Sequence, residues 1–312
     1  MNPVKIAVPD MISNSYFPVL AACELGLLRA QGLDASLVLM SPADKAYQAL
    51  KDGEVDFVAA EAHSALAVFP RWVGIRFICA QSQGMYWFLV MRSSLGAKRG
   101  DLLCVRGRRI GASPWVDLGL KRLLLAAGLD PEREGITIAP IPGGLDLKVN
   151  TGVTAAKALE SGVIDGFWAN GMGAEIAVRR GAGTIVLDTR RGDGPRGAFD
   201  YTLPVIAATD RLIQDAPDTV AAMIRAIVAS HEALRKDVAL AGNVGRKLFP
   251  ALEAGLITEL VARDLPFYDA SLSERSVASL NGFAREVGLL DCEPSYEDVV
   301  AVKFQCLWAP AS

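Results

Sequence analysis

Ala49-Leu50-Lys51-Asp52-Gly53-Glu54-Val55-Asp56-Phe57-Val58-Ala59-Ala60 decides the fold, and Ala158-Leu159-Glu160-Ser161-Gly162-Val163-Ile164-Asp165-Gly166-Phe167-Trp168-Ala169 repeats it. Each stretch reads as the end of a helix, a glycine stop, a β-branched residue, an aspartate and a short apolar strand. Glycine suits the left-handed position that closes a helix. An apolar run after the aspartate is the mark of a parallel strand covered on both faces. Two such stretches about a hundred residues apart point to two α/β units built alike.

Outward from the first stretch, strands are expected at Val4–Val8, Ala35–Met40, Val55–Ala60 and Ile75–Ala80, with helices at Tyr16–Leu28, from Ser41-Pro42 to Lys51 and at Ala62–Phe69. This βαβαβαβ order predicts an open parallel sheet with helices on its faces. A further strand, Trp87–Met91, leads out of it. Around the second stretch the same order recurs: a strand at Arg109–Ala112, a helix from Ser113-Pro114 to Ala127, a strand at Ile136–Ile141, a helix at Thr151–Leu159, the repeated strand, a helix at Gly171–Arg180 and a strand at Thr184–Leu187. Tyr201–Ala208 reads as a strand leading back, and the rest as helices at Pro217–Lys236, Ala251–Arg263 and Ser273–Val287, with a closing segment Tyr296–Trp308. The expected division is residues 1–92 with 198–312 as one lobe and residues 93–197 as the other, the two crossing strands serving as the hinge.

Composition narrows the function. A net charge of −3 gives nucleic acid and anionic membrane surfaces no attraction. Basic residues gather at Arg106-Gly107-Arg108-Arg109 and Arg190-Arg191, where solvated loop charge explains them. Five cysteines without a CxxC spacing argue against a disulfide framework or a zinc site. No apolar run reaches the roughly 18 residues of a membrane span, so no direct membrane insertion is expected. Met1 leads straight into a strand with no secretory pattern; the sequence as it stands reads as cytoplasmic, or as periplasmic if a leader has been removed. Neither a Gly-x-Ser-x-Gly elbow, a P-loop nor a complete Gly-x-Gly-x-x-Gly is found.

Glu24-Leu25-Gly26-Leu27-Leu28-Arg29-Ala30-Gln31-Gly32-Leu33-Asp34, Gly53-Glu54-Val55-Asp56-Phe57, Gly107-Arg108-Arg109-Ile110-Gly111 and Ala158–Asp165 carry a resemblance over roughly residues 4–240. The chain resembles the type II periplasmic binding proteins, and within them the NMT1/THI5-like (SsuA-like) solute-binding family. The resemblance implies a two-lobed α/β fold and a ligand held between the lobes by hinge closure, at the carboxyl ends of the strands, where open α/β sheets place their sites. The ligand it implies is a small planar or anionic organic molecule: a sulfonate, an aromatic carboxylate or a pyrimidine-like compound. An ABC permease is the implied partner if the protein is exported, with the protein itself a monomer or weak dimer; no cofactor and no metal are expected.

The loops at those strand ends are Asp10–Tyr16, Ser41–Asp44, Glu61–Ser64, Ser113–Asp117, Asn150–Thr151 and Asn170–Met172. Asn14, Ser41, Ser113, Thr151 and Asn170 each fit either a ligand donor or a helix cap. Helix starts also offer unpaired N–H groups to an anion. Asp10 and Asp117 lie in the same loops. Tyr16, Tyr86, Trp115 and Trp168 are candidates to stack on a planar ligand, Trp168 being equally a core residue. His63 either bonds a ligand, acts as a base or packs in its loop; His231, on an apolar helical stripe, reads as structural. The resemblance also admits an enzyme, since pyrimidine-precursor synthases and some aromatic-acid decarboxylases share the architecture. His63 would then be the catalytic candidate, or Glu61, His63 or Asp117 in a decarboxylase. The synthases' cysteine-rich iron-binding motif is missing, as is a lysine near Glu61 for pyridoxal phosphate.

Overall fold

The computed structural model describes residues 1–144 and 151–309. From the amino terminus come β1 (Asn2–Val8), α1 (Phe17–Glu24), α2 (Leu27–Ala30), β2 (Leu33–Leu39), α3 (Ala43–Asp52), β3 (Phe57–Glu61), a 3₁₀ turn (His63–Ala67) and β4 (Ile75–Ala80). Next are β5 (Phe88–Arg92), β6 (Arg109–Ala112), α4 (Val116–Ala126), β7 (Thr137–Ala139), α5 (Thr151–Glu160), β8 (Gly166–Ala169), α6 (Gly171–Arg179) and β9 (Gly183–Asp188). The chain closes with β10 (Pro204–Thr209), α7 (Asp210–Asp215), α8 (Pro217–Lys236), α9 (Ala239–Leu248), α10 (Ala251–Asp264), α11 (Glu274–Glu286) and α12 (Tyr296–Val299).

Two compact units result: Met1–Gly84 with Thr202–Ser312, and Met85–Tyr201. The first holds a five-stranded sheet in the order β2-β1-β3-β10-β4, the second one in the order β7-β6-β8-β5-β9. In each, the first three strands are parallel neighbours and the fourth position is filled by an antiparallel strand. That antiparallel strand is always the one by which the chain enters the unit. The division therefore falls at Gly84/Met85 and Tyr201/Thr202, earlier than residue 92 and later than residue 197, because β5 pairs with β8 and β9.

The repeated sequence makes repeated bonds. Gly53 ends α3 at φ 75°, and Gly162 follows α5 at φ 72°. The next residue's N–H reaches five residues back in both, Glu54 to the Ala49 carbonyl (2.9 Å) and Val163 to that of Ala158 (3.0 Å), the closure that satisfies orphan carbonyls at a helix end. The aspartates do the same work in each unit. Asp56 Oδ2 accepts from the Lys5 backbone N–H at 2.7 Å and Asp165 Oδ2 from that of Arg109 at 3.0 Å. Asp56 thus ties the start of β3 to Lys5 within β1, and Asp165 ties the start of β8 to Arg109 at the start of β6. Asp165 also pairs with Arg92 (2.8 Å) and Arg109 (3.1 Å); partial burial works to raise its carboxyl, and these guanidinium contacts outweigh it to hold it below the ordinary range.

Several local expectations change. The helix expected over Tyr16–Leu28 breaks at Gly26, whose left-handed φ of 72° starts α2 afresh. Pro42, not Ser41, occupies the cap position of α3, without a side-chain cap bond. The segment after β3 winds as a tight 3₁₀ turn rather than an α-helix. Helix α4 starts at Val116, so Trp115 with φ 71° takes the cap position expected of Ser113. Helix α9 is absent from the sequence-based expectation, because Gly242 and Gly245 interrupt its helical pattern; Gly245 is required there, since a Cβ would lie 2.6 Å from the Ile257 side chain on α10.

Candidate functional site

In the first unit, the carboxyl ends of β1, β3 and β4 carry a concentration of buried polar side chains: Ser13, Asn14, Glu61, His63, Gln81 and Thr202 are each at most 3% exposed. A strand ends where its ladder bonds end, so polar groups here are supplied by the loops. Glu61 is the last residue of β3. Its Oε2 accepts from the Tyr16 hydroxyl at 2.6 Å, while its backbone carbonyl accepts from the hydroxyls of Tyr47 (3.1 Å) and Ser64 (2.9 Å). Burial pushes the Glu61 carboxyl up from 4.5 to about 7, with the Asp44 charge acting the same way and the Tyr16 bond opposing.

Two residues from Tyr16, Asn14 donates to Asp264 Oδ2 at 2.6 Å, and Asp264 lies 3.5 Å from the Arg263 guanidinium. His63 is fully buried, with Nδ1 2.9 Å from the Thr202 hydroxyl and its ring edge-on to Phe283 at 5.4 Å. Asp10 Oδ1 accepts from the Ile12 N–H at 3.0 Å, a local turn. Ser41 sits half-buried beyond β2, one residue ahead of the α3 cap. Gln81 directly follows β4. Its Nε2 donates to the Val205 carbonyl at 3.3 Å, its own carbonyl accepts from His231 Nε2 at 2.8 Å, and its Oε1 is buried with no partner among the described residues. A carbonyl only accepts, so His231 carries its proton on Nε2; burial pulls this imidazole down to about 4, leaving it neutral.

The second unit arranges the matching ends differently. Ser113, Trp115 and Asp117 are half-buried at the start of α4; the Ser113 carbonyl accepts from the Asp117 N–H, and the Asp117 carboxylate pairs with Lys121 at 2.5 Å. Trp168 is core: it is fully buried, donates Nε1 to the Val116 carbonyl at 3.1 Å and meets Trp87 edge-on. Tyr86 is buried beneath the Arg190 guanidinium, 5.5 Å from its ring centre. Asn170 caps α6, its Oδ1 accepting from the N–H groups of Met172 (3.1 Å) and Gly173 (3.2 Å). Thr151 is the first residue of α5 and donates to the Gly144 carbonyl at 3.1 Å; Asn150 lies outside the described residues. The starts of α5 and α6 approach so closely that a Cβ on Gly173 would lie 2.5 Å from Gly152 Cα.

Sequence reasoning leaves Gln81, Asp264 and Thr202 out of the site. Gln81 has a signal, a glutamine directly after an apolar strand. Asp264 and Thr202 have none, because their partners are remote in the chain. Among the described residues no group of three or more His, Cys, Asp or Glu is placed to hold a metal, and no helix is long and apolar enough to cross a membrane.

This sheet order and these strand ends define the type II periplasmic binding-protein fold. Residues 13–237 match the NMT1/THI5-like family model, and the chain belongs to that family. No curated protein matches the sequence. Among solved structures, the chain is similar to the alkanesulfonate-binding protein SsuA from Xanthomonas axonopodis pv. citri bound to MOPS, with 15% identity over 97% of this chain and 98% of that one and a TM-score of 0.68. It is similar to the periplasmic nitrate-binding protein NrtA from Synechocystis PCC 6803, with 11% identity over 99% and 87% and a TM-score of 0.74. A cysteine-to-serine mutant of DSZB in complex with biphenyl-2-sulfinic acid is similar too, with 17% identity over 98% of each chain and a TM-score of 0.67. At these identities the likeness is one of fold.

Proposed function

We propose that the protein is a solute-binding protein of the ABC-transporter type. It takes a small planar or anionic organic molecule at the carboxyl ends of its strands and delivers it to a permease from the periplasmic side. The observation that carries this reading is the cluster of buried polar side chains around Glu61 and Gln81 at the carboxyl ends of the first unit's strands, in which Gln81 Oε1 has no partner among the described residues. A buried acceptor without a donor costs free energy, and a ligand donor would remove that cost. Family membership and the fold of the SsuA and NrtA structures support the same reading. Tyr16, His63 and Gln81 are the proposed contacts at the strand ends of the first unit; Ser113, Trp115 and Asn170 are the candidates at the strand ends of the second, each unit taken by itself.

Thermal unfolding against a panel of sulfonates, aromatic carboxylates and pyrimidines tests it. At a hundredfold excess over Kd a ligand adds about 2.7 kcal/mol to the binding state, a clear rise in midpoint, and is recovered chemically unchanged. A ligand that is bound but converted would make the protein an enzyme. A panel that leaves the midpoint unmoved at millimolar concentration would count against the reading.

A further inference from the structure

The register of the first unit's sheet puts two acceptors in one row. Pro204 of β10 is paired with Glu61 on one side, and on the other its carbonyl accepts from the Gln81 N–H at 2.8 Å. In-register residues of neighbouring strands project to the same face. The next row, Ala60, Val205 and Ala80, belongs to the apolar cluster that includes Tyr47 and Phe77. Glu61 and Gln81 therefore point to the opposite face, about 10 Å apart across β10 at the usual strand spacing.

The Gln81 amide is oriented by its Nε2 bond to the Val205 carbonyl, which leaves Oε1 as the atom without a partner. The side chain is fully buried. A buried acceptor without a donor is unfavourable and rare in native proteins. A ligand donor would satisfy it.

We infer that the Glu61–Pro204–Gln81 row is an acceptor subsite that selects ligands carrying an amino group, whose N–H donors bond Gln81 Oε1 and the Glu61 carboxyl. This inference rests on the solute-binding reading and narrows it: any anionic group of the ligand lies away from this row, and the amino group faces it. The other polar groups near the row fit that division. Asn14 and Arg263 both face Asp264, the Tyr16 hydroxyl already donates to Glu61, and His231 already donates to the Gln81 carbonyl. Among the described residues no lysine or arginine is among the groups acting on the Glu61 carboxyl, which are burial, Tyr16, Ser64, the backbone and Asp44.

The test uses matched pairs of probes: 4-aminobenzoate with 4-methylbenzoate, 4-aminobenzenesulfonate with 4-methylbenzenesulfonate, and 4-aminopyrimidine with 4-methylpyrimidine, each titrated calorimetrically into the full chain. Amino and methyl groups are similar in size, so the pairs differ chiefly in donor capacity. The expected result is that the amino member of at least one pair binds roughly tenfold tighter or more, the scale of one buried hydrogen bond left unmade. Gln81→Met, which keeps length and removes the acceptor, should shrink that ratio severalfold. Glu61→Gln should also reduce it, and serves if Gln81→Met does not fold. Methyl members binding as well as amino members would overturn the subsite while leaving solute binding intact. A ratio unchanged in both variants would do the same. Failure of all six probes to bind would count against the solute-binding reading and, with it, this row.

Discussion

Replacing Glu61 by glutamine isolates the cost of holding a carboxyl at the buried strand edge. Its group is raised from 4.5 to about 7 in the folded chain. Between those values the native state holds a proton that the unfolded state has released, so stability falls as pH rises from about 4.5 and levels off above about 7. Each pH unit in that window costs about 1.4 kcal/mol, which makes the ionised carboxyl about 3 kcal/mol less favourable at pH 8 than at pH 4. Glutamine keeps the shape and an oxygen to accept the Tyr16 hydroxyl, but cannot ionise. Glu61→Gln should therefore match the parent near pH 4 and exceed it by about 3 kcal/mol at pH 8. Urea unfolding followed by tryptophan fluorescence at both pH values reads this directly. Other carboxyl groups titrate alike in both proteins and cancel in the difference. Equal differences at pH 4 and pH 8 would refute the reasoning, because a constant offset is what lost packing gives.

Asn170→Ala should destabilise the second unit by about 1 kcal/mol in urea unfolding, because the Met172 and Gly173 N–H groups lose their cap. Gly173→Ala should cost more, about 1–3 kcal/mol, because its Cβ would force α5 and α6 apart at Gly152. Asp56→Ala should raise exchange in β1 around Lys5 and at the start of β3, and Asp165→Ala at the starts of β6 and β8, each read by hydrogen exchange, with the other unit's sheet left protected. They remove equivalent ties in the two sheets.

The two α/β units are readable in the sequence because their evidence is local. Glycine after a helix, then an aspartate, then an apolar strand fits one arrangement, and Gly53 with Asp56 and Gly162 with Asp165 make the bonds that explain both repeats. The antiparallel strands β5 and β10 have no such signal: an apolar run says nothing of its direction, and only the partners Ala169 and Glu61 reveal it. Cap positions fail where backbone geometry overrides side-chain preference, as at Trp115. The site is partly legible. Tyr16, Glu61 and His63 stand out as polar or aromatic residues beside strand ends, and the bond of Tyr16 to Glu61 joins two such ends, whereas the Thr202 partner of His63 is 139 residues away and has no local signal. Asn14 is legible as a polar loop residue, but its partner Asp264 lies at the end of α10, 250 residues away. Trp168 reads equally as stacking or core, and the sheet puts it in the core.

Whether the strand ends of each unit receive a small molecule is tested most directly by hydrogen–deuterium exchange of the full chain, with and without whichever panel compound raises its unfolding midpoint most. The compound should slow exchange at residues 10–16, 61–66 and 81–84 in the first unit and 113–118 and 170–173 in the second, while the amino ends of the same strands are unchanged. Protection confined to the helices distant from these loops, or spread evenly over both sheets, would contradict binding at the strand ends.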